Sequence, residues 1–203
     1  MEKEIDDAIN RIPFDMTNVL VECEKHISAL LEDRERWRSL MVNYKPPHLM
    51  RLFTQVGKVR INLHYFFAAS TDVLEECDVT DVTAYDVGYN ENLYHPHGWA
   101  SCMRILSGRY EQWLGFATGR GIDMVPQKTL HLVHNTGDTY AMNHPWLWHQ
   151  VIPTNQEPVL TLMVTYIPPN WDQEAPLSTQ PLRSLTEQEA EFMFQTFKAI
   201  YKS

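Results

Sequence analysis

The stretch Tyr94-His95-Pro96-His97-Gly98-Trp99 is where this sequence first suggests chemistry. Two imidazoles two residues apart fall on one side of an extended segment, because strand side chains alternate faces. Such a pair can grip one metal ion from one edge. Pro96 between them and Gly98 after them restrict the backbone and leave room for a ligand.

The elements that must position this pair follow from pattern. From Asn18 to Met41 the apolar residues Val19, Leu20, Cys23, Ile27, Leu30 and Leu31 recur at helical spacing, and a shorter helix is expected over His48–Gln55, after Pro46-Pro47. From Lys58 the texture changes. Val59–Phe67 and Val79–Val87 alternate and are rich in β-formers, followed by Ala100–Leu106 and Tyr110–Phe116 with a hairpin-like turn at Ser107-Gly108-Arg109. Leu130–His134, Thr139–Met142, Leu147–Val151 and Val159–Ile167 complete the set, separated by turn residues. Many short strands at close spacing mean a β-sandwich or barrel. Asn170–Arg183 reads as a surface connection, and Thr186 with Glu189 forms a capping box for a last helix whose buried stripe is Ala190, Met193, Phe194, Phe197 and Tyr201. The expected organisation is a helical segment over 1–57 packed on a barrel of 58–169, then a linker and C-terminal helix over 170–203.

With 203 residues, 44% hydrophobic and 21% charged, the chain can bury a sizeable core. Its formal net charge of −9 argues against nucleic acid or an anionic membrane as partner. Met1–Asp7 is charged from the start, no apolar run reaches membrane-spanning length, and three widely spaced cysteines do not make a disulfide framework. A cytoplasmic protein, monomer or homodimer, is expected.

His95-Pro96-His97, the strand ending near Gly108, Gly137-Asp138 and finally His149 resemble the two-motif pattern of the cupins. The resemblance spans roughly Val79 to Pro169. It implies an all-β double-stranded β-helix, or jelly-roll barrel, with N-terminal helices and a C-terminal helix, in which His95, His97 and His149 converge on one ion. Within the cupins the chain resembles the thiol dioxygenases of the cysteine and 3-mercaptopropionate type. There the usual glutamate ligand is replaced and three histidines hold Fe(II); here Ser101 or Cys102 stands where the glutamate would fall. Tyr166-Ile167-Pro168-Pro169 is similar to that family's Tyr-x-Pro-Pro, which implies Tyr166 as a catalytic residue orienting O2 or substrate. The family's histidine before that tyrosine is missing: Val164 or Met163 takes its place, depending on register. Cys102 and Tyr166 are the residues that would imitate the family's Cys–Tyr crosslink.

Three imidazoles suit Fe and equally Zn or Ni, with Mn also possible, and leave open positions for substrate and O2. Neutral ligands leave the ion at +2, so a thiolate or carboxylate would be welcome. Arg60 and Arg104, on strands of a barrel that should be apolar, would take a substrate carboxylate or an internal acid. Trp99, Trp146 and Trp148 would wall a pocket or serve the core, and Trp99 and Trp148 are the two taken as substrate-binding. His64, His131 and His134 line the cavity or satisfy the core; His144 is a loop residue. The expected function is a non-haem Fe(II) dioxygenase of a small metabolite. The alternatives are an O2-independent metal-dependent lyase or isomerase, and a non-catalytic ligand-binding cupin.

Overall fold

The computed structural model describes residues 1, 3–5, 15–42, 48–68, 94–117, 126–154, 157–168 and 183–202. The segments expected as a strand over Val79–Val87 and as a surface connection over Asn170–Arg183 lie outside these, except Arg183 itself.

Two short helices, α1 (Met16–Glu24) and α2 (Ile27–Glu32), precede the sheets. Asp15 caps α1 by accepting from the Thr17 backbone N–H at 2.8 Å, supplying a partner to an otherwise orphaned donor. The long helix expected to reach Met41 instead breaks at Lys25-His26, between α1 and α2, and ends at Glu32. After a 3-10 turn over Arg34–Arg36 the chain extends into β1 (Arg38–Val42). The expected helix over His48–Gln55 is also a strand, β2 (Leu49–Val56), antiparallel to β1 from Arg38↔Phe53 to Val42↔Leu49. The physical reason is pairing: β2 is zipped along its whole length to β3 (Val59–Phe66) through a two-residue Gly57-Lys58 turn, with Gly57 at φ 56°. The segment 1–57 thus supplies two strands to the larger sheet as well as helices.

The remaining strands are β4 (His95–Pro96), β5 (Ala100–Ser107), β6 (Arg109–Phe116), β7 (Leu130–Asn135), β8 (Thr139–Met142), β9 (Leu147–Pro153) and β10 (Val159–Tyr166). Among the described residues they form two antiparallel sheets, in the order β1-β2-β3-β10-β5-β8 and β4-β9-β6-β7. From β4 onward the chain passes repeatedly between the sheets, the jelly-roll arrangement implied by the cupin resemblance. The turn at Gly108 is accordingly no hairpin: β5 and β6 belong to different sheets. Gly108, at φ 84°, lets this corner lie directly against the backbone of Pro158 and Val159, where a Cβ would clash. The Asn135–Asp138 corner is held instead by hydrogen bonds, Asp138 accepting from the Asn135 N–H at 2.7 Å while Gly137, at φ 93°, donates to the Ile105 carbonyl.

Side-chain alternation splits the core into two layers. One face of the larger sheet, with Ile61, Leu63, Leu162, Val164 and Cys102, packs under Met16, Leu20, Ile27 and the terminal helix α3 (Glu187–Tyr201) through Met193, Phe194 and Phe197. The other face, with Phe66, Met103, Ile105 and Met163, meets Tyr110 and Val151 of the smaller sheet. The Thr186–Glu189 capping box starts α3, and Trp37 meets Phe194 edge-on at 6.4 Å. No described helix is long and apolar enough to cross a membrane.

Candidate metal centre

His95 and His149 stand directly opposite one another on β4 and β9, and His97 follows immediately after β4. Strand alternation turns His95, His149 and its neighbour Leu114 on β6 to the same face of the smaller sheet. The three imidazoles converge: ring centroids lie 5.3 Å apart for His95–His97, 4.9 Å for His95–His149 and 4.5 Å for His97–His149. One nitrogen from each falls within 4.8 Å of the others, and His97 Nε2 and His149 Nε2 are 2.9 Å apart. Two nitrogens held at about 2.1 Å by one ion and at right angles to each other stand about 3 Å apart, so the pair fits a single ion. His97 and His149 are buried and His95 half-buried. Burial, and then the neighbouring His97 and His95 rings, hold His149 well below the usual imidazole pKa, in the neutral form a ligand requires.

A set of partners beneath the imidazoles was not legible beforehand. His97 Nδ1 lies 3.3 Å from Ser101 Oγ. His149 Nδ1 lies 3.1 Å from Gln112 Nε2, and Gln112 Oε1 lies 2.8 Å from His134 Nε2. Gln112 is fully buried. Its only advance signal was an amide at an inward position of β6, between Tyr110 and Leu114. His134 stacks on Tyr140 with centroids 4.3 Å apart, and the Tyr140 and Tyr110 hydroxyls are 2.6 Å apart.

The other expected site residues divide. Trp99 is stacked against His97 at 5.3 Å, and its buried indole N–H has no partner among the described residues. Arg60 is in the cross-strand row Arg60–Thr165–Ser101–Met142, on the inward face of the larger sheet; it is exposed, with its guanidinium 5.5 Å over the Phe53 ring. Arg104 is not in the site: it bonds Thr139 at 3.1 Å and forms an ion pair with Glu24 of α1, the internal acid that was its alternative reading. Trp148 is on the face of β9 opposite to His149, packed with Tyr94 and Ala117. Tyr166 is one residue out of phase with Thr165 and joins the helix-side core with Cys102, so neither residue meets the imidazoles. Burial pushes the Cys102 thiol up to about 11. His64 is inward, its Nε2 accepting from Arg51 Nε at 2.9 Å and its Nδ1 lying 3.2 Å from Thr161 Oγ1. His131 stacks on Trp113, and His144 lies beside Phe116 and Trp146.

Fold and site together define a two-sheet β-barrel with a three-histidine candidate metal centre. No protein-family model matches the chain, and no curated protein matches it. Solved structures that resemble it include Fe(II) HppE, with a TM-score of 0.42 and 9% identity over 66% of this chain and 58% of that one. The Cnp3 cupin domain of Schizosaccharomyces pombe gives 0.36 and 8% over 60% and 64%. An RmlC-like cupin from Shewanella frigidimarina gives 0.39 and 10% over 64% and 85%. The chain spans less than two thirds of the length of the first two. Likeness at this level carries no argument about chemistry, which rests on the residues of the site.

Proposed function

We propose that this protein is a cytoplasmic non-haem Fe(II) dioxygenase of the cupin type, acting with O2 on a small metabolite that bears a thiol or carboxylate. The observation that carries the reading is the convergence of three imidazoles, His95, His97 and His149, as the candidate ligand set. Fe(II) there would supply redox chemistry toward O2 and Lewis acidity toward an anionic ligand. The chain's own residues do the rest. Ser101 and Gln112 orient His97 and His149, Trp99 walls the site with an indole N–H to offer a polar substrate, and Arg60 at the rim answers a carboxylate.

The test is elemental analysis of the purified protein, followed by O2 uptake after anaerobic Fe(II) loading, with 3-mercaptopropionate, cysteine and cysteamine added singly. Iron near one per chain with thiol-dependent uptake supports the dioxygenase. Bound Zn, Ni or Mn without uptake moves the reading to an O2-independent lyase or isomerase, or to a ligand-binding protein. Tyr166 in the helix-side core favours that second reading, since β10 then brings only Thr165 toward the Ser101 row. His149→Ala is expected to lose the metal in either case; a variant that still held one equivalent would refute the ligand assignment.

A further inference from the structure

The contacts around Gln112 form a chain: His134 Nε2 to Gln112 Oε1 at 2.8 Å, Gln112 Nε2 to His149 Nδ1 at 3.1 Å, and His149 Nε2 to His97 Nε2 at 2.9 Å. It ends at Ser101, 3.3 Å from His97 Nδ1. A primary amide offers donors on one side and an acceptor on the other, and turning it over exchanges them at the loss of one weak contact, Gln112 Nε2 to Met142 Sδ at 4.0 Å. The chain therefore has two self-consistent polarities. In one, His134 Nε2–H donates to Gln112, Gln112 donates to His149 Nδ1, and His149 Nε2–H donates to His97 Nε2. In the other, His149 Nδ1–H donates to the Gln112 oxygen, the Gln112 nitrogen donates to His134 Nε2, and His134 carries its proton on Nδ1.

The two polarities differ in what they do at the triad. In the first, the 2.9 Å contact between His149 and His97 is a hydrogen bond, and His149 has no Nε2 lone pair to give. In the second, two Nε2 lone pairs face each other at that distance, which is repulsive unless a cation lies between them. His97 keeps its Nδ1–H on Ser101 in both and is ready as a ligand in both. Only His149 must change.

Resting on the metal-site reading above, we infer that Gln112 is the positioning residue that sets the ligand state of His149, and that cation binding is coupled through it to the tautomer of His134. Each imidazole keeps one proton throughout, so the switch neither takes up nor releases a proton. No charge is buried by it.

Long-range 1H–15N NMR of the histidine rings, with and without one equivalent of Zn(II), tests this directly. His134 is expected to pass from the Nε2–H to the Nδ1–H tautomer as Zn(II) binds. Gln112→Glu offers only acceptors, so it is expected to bind Zn(II) at least as tightly as the natural chain while His134 stays Nε2–H. Gln112→Leu, which leaves the His149 Nδ1–H without an acceptor, is expected to bind roughly 10–100-fold more weakly. An unchanged His134 tautomer on Zn(II) binding to the natural protein overturns the coupling, as does natural affinity in Gln112→Leu. If neither the natural protein nor Gln112→Glu takes up Zn(II), the metal-site reading itself fails and the inference falls with it.

Discussion

Ser101 shows how much a ligand depends on the residue behind it. Its hydroxyl lies 3.3 Å from His97 Nδ1; with the ring proton on Nδ1 it accepts from the imidazole, and Nε2 is left as the ligand atom. Ser101→Ala is expected to weaken metal binding roughly tenfold, because the His97 ring then loses the hydroxyl contact that helps to orient it. Competition with a chromophoric chelator measures this; unchanged affinity would mean the hydroxyl plays no part in holding the ring. The histidines were legible in the sequence because their imidazoles recur at strand spacing beside Pro96 and Gly98. Tyr166 was not, because strand side chains have period two. A shift of one residue moves a side chain from the site to the core, and a four-residue motif does not specify that phase.

At the scale of elements, the position of the short strand β4 depends on Gly115. A Cβ there would collide with the Tyr94 hydroxyl and the Gln127 carbonyl, which lie across β6 at that point. Tyr94 immediately precedes His95, so the contact fixes where the first ligand begins. Gly115→Ala is expected to cost about 1–3 kcal/mol through overpacking, read by urea unfolding, and to lower metal affinity as well. A variant that lost stability but bound metal normally would separate Tyr94 from the site. The strands of the N-terminal segment also belong to this scale. Leu40 and Met41 suit a helix stripe or a strand equally well, and the choice was made by pairing to β2 and β3, which the local pattern does not contain.

The whole molecule carries a set of buried imidazoles that burial holds below their usual pKa: His48, His134 and, with Arg51 adding to the effect, His64. In the unfolded chain each takes a proton near pH 6.5, while in the folded protein it remains neutral to lower pH. The unfolded state therefore binds more protons below about pH 6.5. Stability is expected to be flat above that value and to fall as the pH drops through it, until the folded-state rings themselves take up protons. Urea unfolding at pH 7.5 and 5.0 checks this, with His64→Leu removing part of the slope. Equal stability at both values would show that these rings are not held neutral. Binding is linked to folding as well: Zn(II) at 100 times its dissociation constant is expected to add about 2.7 kcal/mol, an increment that His149→Ala abolishes.

The sequence by itself determined what repeats locally: the described strand Val59–Phe66 and those from Ala100 onward, the Thr186 capping box, and the three histidines that can share an ion. These rest on period, turn chemistry and residue type, all of which act over a few residues. The tertiary structure alone decided which sheet each strand joined, so that Gly108 became a corner between sheets and Arg104 met Glu24. It also decided that Gln112 of β6 would stand between His149 of β9 and His134 of β7. Those outcomes depend on contacts between residues far apart in the chain, whose partners are set only when the two sheets pack face to face.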